Sequence, residues 1–262
     1  VAARLSETGA SVILLEAGPS DWHPMIHIPA GIRSLIRNPL VNWNFTTEPE
    51  KGSGDRRIEW PRGRTLGGSS SINGMLYVRG HRDDYDGWRD VGNPDWDYAS
   101  VLPWFVRSEA NARGADAFHG GDGPLAVADA PHRHPLADAF VAAAVEAGFT
   151  RNDDFNGAQQ DGFGYFQCNT LRGRRASTAT AYLAPSRKRE NLDVVTEALT
   201  DRILFAGGRA IGVAYRRRGT EFTAFAERDV MLAAGTFNSP QILLRSGVGA
   251  ARALTALSIP VV

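Results

Sequence analysis

The sequence predicts an α/β fold with an inserted antiparallel β element, on three observations. Near the start, Ser11-Val12-Ile13-Leu14-Leu15-Glu16-Ala17-Gly18 is an apolar run closed by an acid and a glycine. That is the pattern of a strand covered on both faces of a parallel sheet. Near the end, residues 229–234 read as a second short buried strand that turns at Gly235 into a helix. Between them, stretches at about 192–196, 202–206, 210–216 and 221–226, joined by Gly207-Gly208 and Gly219, read as an antiparallel group.

Each element has a local cause. The first nine residues read as the back half of an amphipathic helix, with Ala2, Ala3 and Leu5 on one side and Gly9 as its stop. Residues 18–60 lack regular periodicity and are punctuated by Pro19, Pro24, Pro29, Pro39 and Pro49. Irregular stretches of that length are usually functional excursions. Helical patterns follow at 97–112 and 135–147, the second opening on Pro135, with a turn at Gly120-Gly121-Asp122-Gly123-Pro124 between them. A further helix is expected over 175–182, ending near Pro185. Cys168 falls in a strand-like stretch, where a buried, inert thiol is expected.

Composition narrows the function. Acidic and basic residues balance at 29 each, so no global field favours nucleic acid or a membrane surface. A single cysteine excludes an internal disulfide and any Cys-x-x-Cys pair. The His132-x-His134 pair has no further ligands to complete a metal site. The arginine runs at 172–175, 187–189 and 216–218 read as solvated surface, since no aromatics interleave them.

Two glycine corners carry the chemistry. In Gly63-Arg64-Thr65-Leu66-Gly67-Gly68-Ser69-Ser70-Ser71-Ile72-Asn73-Gly74-Met75-Leu76-Tyr77, adjacent glycines and three serines run into an apolar stretch. Glycines admit a ligand close to the backbone, and free amides with hydroxyls suit a phosphate. A plain turn fits the same residues. In Gly235-Thr236-Phe237-Asn238-Ser239-Pro240-Gln241-Ile242-Leu243-Leu244-Arg245-Ser246-Gly247-Val248-Gly249, Ser239 is placed as an N-cap and Pro240 as a first helical residue. Ile242 and Leu243 are expected to face inward, and Ser246-Gly247 to close the turn. An ordinary strand–helix connection has this pattern too.

Taken together, residues 63–86 resemble the first signature of the glucose–methanol–choline oxidoreductases and residues 235–249 resemble the second. Ser11 to Gly18 resembles the second strand of that family's nucleotide fold. Tyr77-Val78-Arg79-Gly80-His81 and Ala181-Tyr182-Leu183 are similar to bacterial choline-dehydrogenase-like members.

The resemblance implies an FAD-binding Rossmann-like domain over residues 1–262, with an irregular excursion at 18–60 and a mixed inserted region at 135–230. No G-x-G-x-x-G turn precedes the first strand, so the fold reads as incomplete at both ends, without its C-terminal substrate domain. It implies transfer of a hydride from an alcohol to FAD, with oxygen or a quinone as electron acceptor and no nucleic acid or membrane span. A cytoplasmic or membrane-peripheral location follows from the same reading.

Carried over by position, Glu16 would bind the adenosine ribose. Thr65, Gly68 and Ser69 would line the pyrophosphate and the approach to the flavin. Asn73, Gly74, Met75 and Leu76 would face the isoalloxazine, Thr200 the adenine, and Ala234 with Gly235 would close the site, the corners at 67 and 235 sharing one flavin nucleotide. Where some relatives attach FAD through a histidine, this chain has Ile72, which implies dissociable FAD. None of His23, His27, His81, His119, His132 or His134 matches the family's catalytic histidine, so no catalytic residue is expected and the chain as it stands is expected to be inactive. A redox-inactive, FAD-holding lyase of the hydroxynitrile-lyase kind and a non-catalytic fragment fit the same residues.

Overall fold

The computed structural model describes residues 1–262, which divide into two compact units. The first is assembled from Val1–Ser20, Arg64–Leu66 and Arg189–Val262, and the second from Asp21–Gly63 and Gly67–Lys188. Helices and small sheets alternate along the chain, so the α/β class holds.

In the first unit, strand Val12–Leu15 pairs in parallel with Leu192–Val195. The pairing runs on past the strand end, where the Ala198 amide donates to Glu16 O and the Glu197 amide to Gly18 O. Arg189 and Asn191 tie the helix Ala2–Glu7 to this pair by donating to Ala3 O, Ser6 Oγ, Ser6 O and Ala10 O. Coverage of both faces was the expectation for residues 11–17, but Ile13 is 45% exposed. A two-stranded pair does not bury both faces of a strand, and the apolar run therefore shows one residue to solvent.

The antiparallel group is one sheet, ordered Ala198–Ala206, Arg209–Arg217, Thr220–Phe225. Its two hairpins follow from backbone sterics. Gly207-Gly208 and Arg218-Gly219 all have positive φ, which is what two-residue turns matched to strand twist require.

Helix Gly235–Arg245 rests on the first of these strands. Ser246 fastens it: its hydroxyl accepts from the Ile203 amide at 2.8 Å and donates to Ile242 O at 2.6 Å. Ile242 is buried, Leu243 is half-buried, and Gly247 has φ +89°, so the helix end is as expected.

Its beginning is not. Residues 229–234 form no strand and are largely exposed, because no neighbouring strand offers them a ladder. The helix starts at Gly235 rather than at Pro240, which lies inside it. Ser239 still serves the helix start from within, accepting the Ala234 amide on its hydroxyl at 3.0 Å.

The second unit has an apolar centre of Ile26, Leu35, Val41 and Ile72 and a separate polar one. The polar centre forms around the small sheet Glu109–Asn111, Leu125–Asp129 and Gln167–Cys168. Buried Glu109 accepts from Arg79 Nη2 at 2.6 Å and from Asn111 Nδ2 at 2.9 Å. His119 bridges Glu109, through Nδ1 at 3.1 Å, and Asp154, through Nε2 at 2.9 Å.

Helix Tyr98–Ser108 is capped by Asp97, and helix Pro135–Glu146 by the ring nitrogen of His134. The first stops four residues short of the expected 112, because the chain joins the sheet at Glu109. The helix expected from 175 begins as a π turn at Ala179–Leu183, since Arg174–Arg175 is used as strand. Cys168 is half-buried, and that burial raises its thiol pKa. No helix is long and apolar enough to cross a membrane.

Candidate functional site

In the first unit the strand end at Glu16 meets a tight corner. A side chain at Gly18 would run into the backbone of Arg64 and Thr65, so only glycine lets the two segments touch. The contact is fastened by Thr65, whose hydroxyl donates to Pro19 O at 3.0 Å, and by the Leu66 amide, which donates to the same carbonyl. Thr65 is completely buried, so it shapes the corner rather than presenting a hydroxyl to solvent.

Glu16 Oε1 accepts from the Gly18 amide at 2.8 Å, and its other oxygen carries no bond. Burial pushes the carboxyl up to about 7, against the opposing pull of the Gly18 amide and of Arg64. A half-buried acid with one acceptor oxygen unbonded suits a ribose hydroxyl. Thr200 follows two residues after Ala198, the residue bonded to Glu16 O, at a bulge facing Tyr215. Ala234 and Gly235 stand exposed at the helix start, and a Cβ added to Gly235 would meet open space.

In the second unit the glycine–serine run folds as a short 3-10 turn over Gly68–Ser71. Gly67 and Gly68 both lie in the left-handed region, at φ +87° and +54°. A Cβ at Gly67 would strike Ser71 Oγ, whereas one at Gly68 would meet nothing. The corner is therefore packed from behind and open in front, and its first amides have no carbonyl of their own turn to reach. Ser69 Oγ accepts from the Gly63 amide at 3.1 Å. Ser70 Oγ donates to Gly67 O and accepts from the Thr178 amide at 2.9 Å.

Beyond the turn, Ile72 is buried in the apolar centre, while Asn73, Gly74 and Leu76 are exposed. Met75 is buried, with φ +64°, a conformation rare for a residue bearing a side chain. It is held there by its own carbonyl, which accepts from the Asn169 amide, and by its amide, which donates to Asn73 Oδ1.

Sequence reasoning missed one member of this group. Arg175, taken with its neighbours for solvated surface, is 3% exposed. Its Nε donates to Ile26 O at 2.8 Å, and its Nη1 to Asn73 O at 2.7 Å, Asn73 Oδ1 at 2.8 Å and Ser70 O at 3.2 Å. Burial lowers its pKa, and no carboxylate bonds it. The signal was the period of a strand: Arg174 points out and Arg175 in. Elsewhere, His81 caps helix Arg82–Asp90 in a capping box with Asp84.

Against known proteins, the family model described as GMC oxidoreductase matches residues 5–261. The chain belongs to the GMC oxidoreductase family. An oxygen-dependent choline dehydrogenase from Pseudomonas savastanoi pv. phaseolicola is 48% identical, covering 100% of this chain and 48% of that protein. The chain thus spans about half the length of the curated relatives it matches.

Among solved structures, pyridoxine 4-oxidase from Mesorbium loti superposes with a TM-score of 0.95 at 34% identity, over 100% of this chain and 52% of that one. An FAD-dependent oxidoreductase from Chaetomium thermophilum gives 0.91 at 30% identity, over 99% and 47%. These likenesses bear out both the family resemblance and the Rossmann-like α/β class.

Proposed function

We propose that this chain is the FAD-binding part of an oxidoreductase that acts on the CH–OH group of a small-molecule alcohol. The observation that carries the reading is the open-fronted corner at Gly67-Gly68, set in a chain of this family beside exposed Asn73, Gly74 and Leu76. The donor set suits FAD. Glu16 offers one vacant acceptor for a ribose hydroxyl, the glycine corner offers amides for a pyrophosphate, and the 73–76 segment offers an amide and backbone groups to a flat ring. In the first unit, Thr200 takes the adenine side, and Ala234 with Gly235 adds the open start of a helix.

When bound, FAD supplies the electron sink that receives the hydride of the alcohol carbon. The work of these residues is to bind and orient. Thr65 and Gly18 hold the strand end against the loop, and Ser69 and Ser70 fix the glycine corner. Ile72 has no nucleophile and its side chain is in the apolar centre, which supports dissociable FAD. The proton of the substrate hydroxyl needs a base, and the six histidines here are used otherwise or exposed, His119 in its carboxylate bridge and His81 and His134 as helix caps. The chain by itself is therefore read as a binding part, with oxygen or a quinone as the final acceptor of the whole enzyme.

Two measurements test the reading. Titrating the purified full chain with FAD should quench flavin fluorescence to saturation, and acid precipitation should then release all the colour. A chain that leaves FAD fluorescence unchanged removes the proposal, and colour retained on the polypeptide removes its non-covalent part.

A further inference from the structure

We propose that Arg175 is a positioning residue that locks the Asn73 carboxamide so that its Nδ2 faces the flavin as a fixed hydrogen-bond donor. The inference rests on the FAD reading above and deepens it.

An asparagine amide can be flipped end for end, and only its partners decide which end shows. Here both partners bind the oxygen. Arg175 Nη1 donates to Asn73 Oδ1 at 2.8 Å, and the Met75 amide donates to the same oxygen at 3.1 Å. A flip would set Nδ2 against two donors, so the amide has one orientation. Nδ2 then carries no bond within the protein, and Asn73 is exposed. Arg175 meanwhile holds the backbone on both sides of that amide, at Ser70 O and Asn73 O, and is itself anchored at Ile26 O.

The chemistry of this arrangement is unusual for a buried cation. Buried guanidinium groups are ordinarily paired with an acid. Arg175 has only carbonyl oxygens, and its Nη2 is buried with no partner at all. Such incomplete satisfaction is poor value for stability alone. A loop kept in one shape, with one donor left outward, accounts for it. The group to be met outside is a hydrogen-bond acceptor on a planar ring, such as the heteroatom edge of an isoalloxazine.

The test uses the full chain loaded with FAD and separates the donor from its holder. Asn73→Asp keeps an oxygen for Arg175 and Met75 but removes the donor. It should melt no lower than wild type in the apo state, yet bind FAD about tenfold more weakly. The visible absorption band of the bound flavin should shift as well. Arg175→Met should reproduce the weaker binding and the band shift, and Arg175→Lys should restore part of each.

Combined with Asn73→Ala, Arg175→Met should add little, because both changes remove one interaction. Asn73→Asp with wild-type FAD affinity and spectrum would overturn the proposal, and so would fully additive losses in the double variant. If Arg175→Met does not fold, the Asn73→Asp result decides alone. A wild-type chain that binds no FAD sinks the functional reading, whereas wild-type binding with an indifferent Asn73→Asp sinks this inference only.

Discussion

Two arginines buried in the same unit are treated in opposite ways. Arg79 lies in a polar network, paired at 2.6 Å with Glu109, which also takes bonds from Asn111 and His119. Arg175 has no acid and stops at carbonyl oxygens. In the first network charge meets charge inside a small sheet. In the second the charge holds backbone, and the product is a loop of defined shape with its outer face unbonded. Burial alone does not distinguish a structural charge from one serving a site; the identity of its partners does.

The largest test of that contrast is to strip Arg79 of its acid. Glu109→Leu should destabilise the protein by about 3–5 kcal/mol in urea unfolding, since it leaves a buried cation unpaired. Arg175→Met should cost less, about 1–3 kcal/mol, because it abandons carbonyls and no opposite charge. Equal losses would erase the distinction.

A pH series sharpens it. For His119, burial opposes protonation, but the hydrogen bonds to Asp154 and Glu109 outweigh it and raise the pKa above 6.5. A raised histidine pKa gives stability that is complete below the unfolded value and lost as pH rises through the folded one. Urea midpoints should therefore fall as pH rises above 6.5, and His119→Gln should flatten that slope.

The smallest effect concerns Glu16, an acid whose pKa burial raises against the weaker opposing pull of the Gly18 amide and Arg64. A ribose hydroxyl donates best to the carboxylate, so binding favours the deprotonated form. FAD affinity should rise with pH through about 7, by at most about tenfold per unit, and level off above. Glu16→Gln should show a flat fluorescence titration series across the same range.

Much of this molecule could be read from its residues. The hairpins were legible because Gly207-Gly208 and Gly219 are local steric demands, which no distant contact can override. The helix end at Ser246-Gly247 was legible for the same reason. Residues 229–234 misled, because an apolar run is only half of a strand and the other half is a neighbour. Ser239 and Pro240 misled differently: a hydroxyl can reach back to the helix start from inside the first turns.

Of the candidate site, the glycine corner and Glu16 were visible as types of residue in an order. Arg175 was hidden in a cluster of three arginines, where charge counts alike for each and only the strand's alternation picks the one facing in. The Arg79–Glu109–His119 network was hidden as well, since its members are distant in sequence and carry no spacing rule.

The glycines at 18, 63 and 67 have a further implication for mutational tolerance. Each would drive even a methyl group into neighbouring backbone or, at 67, into a serine hydroxyl, so saturation libraries there should return almost nothing but glycine. Gly68 differs, for it is confined by its left-handed twist and not by its surroundings. Asparagine and aspartate can accept that twist, so position 68, unlike 18, 63 and 67, has room for a new side chain.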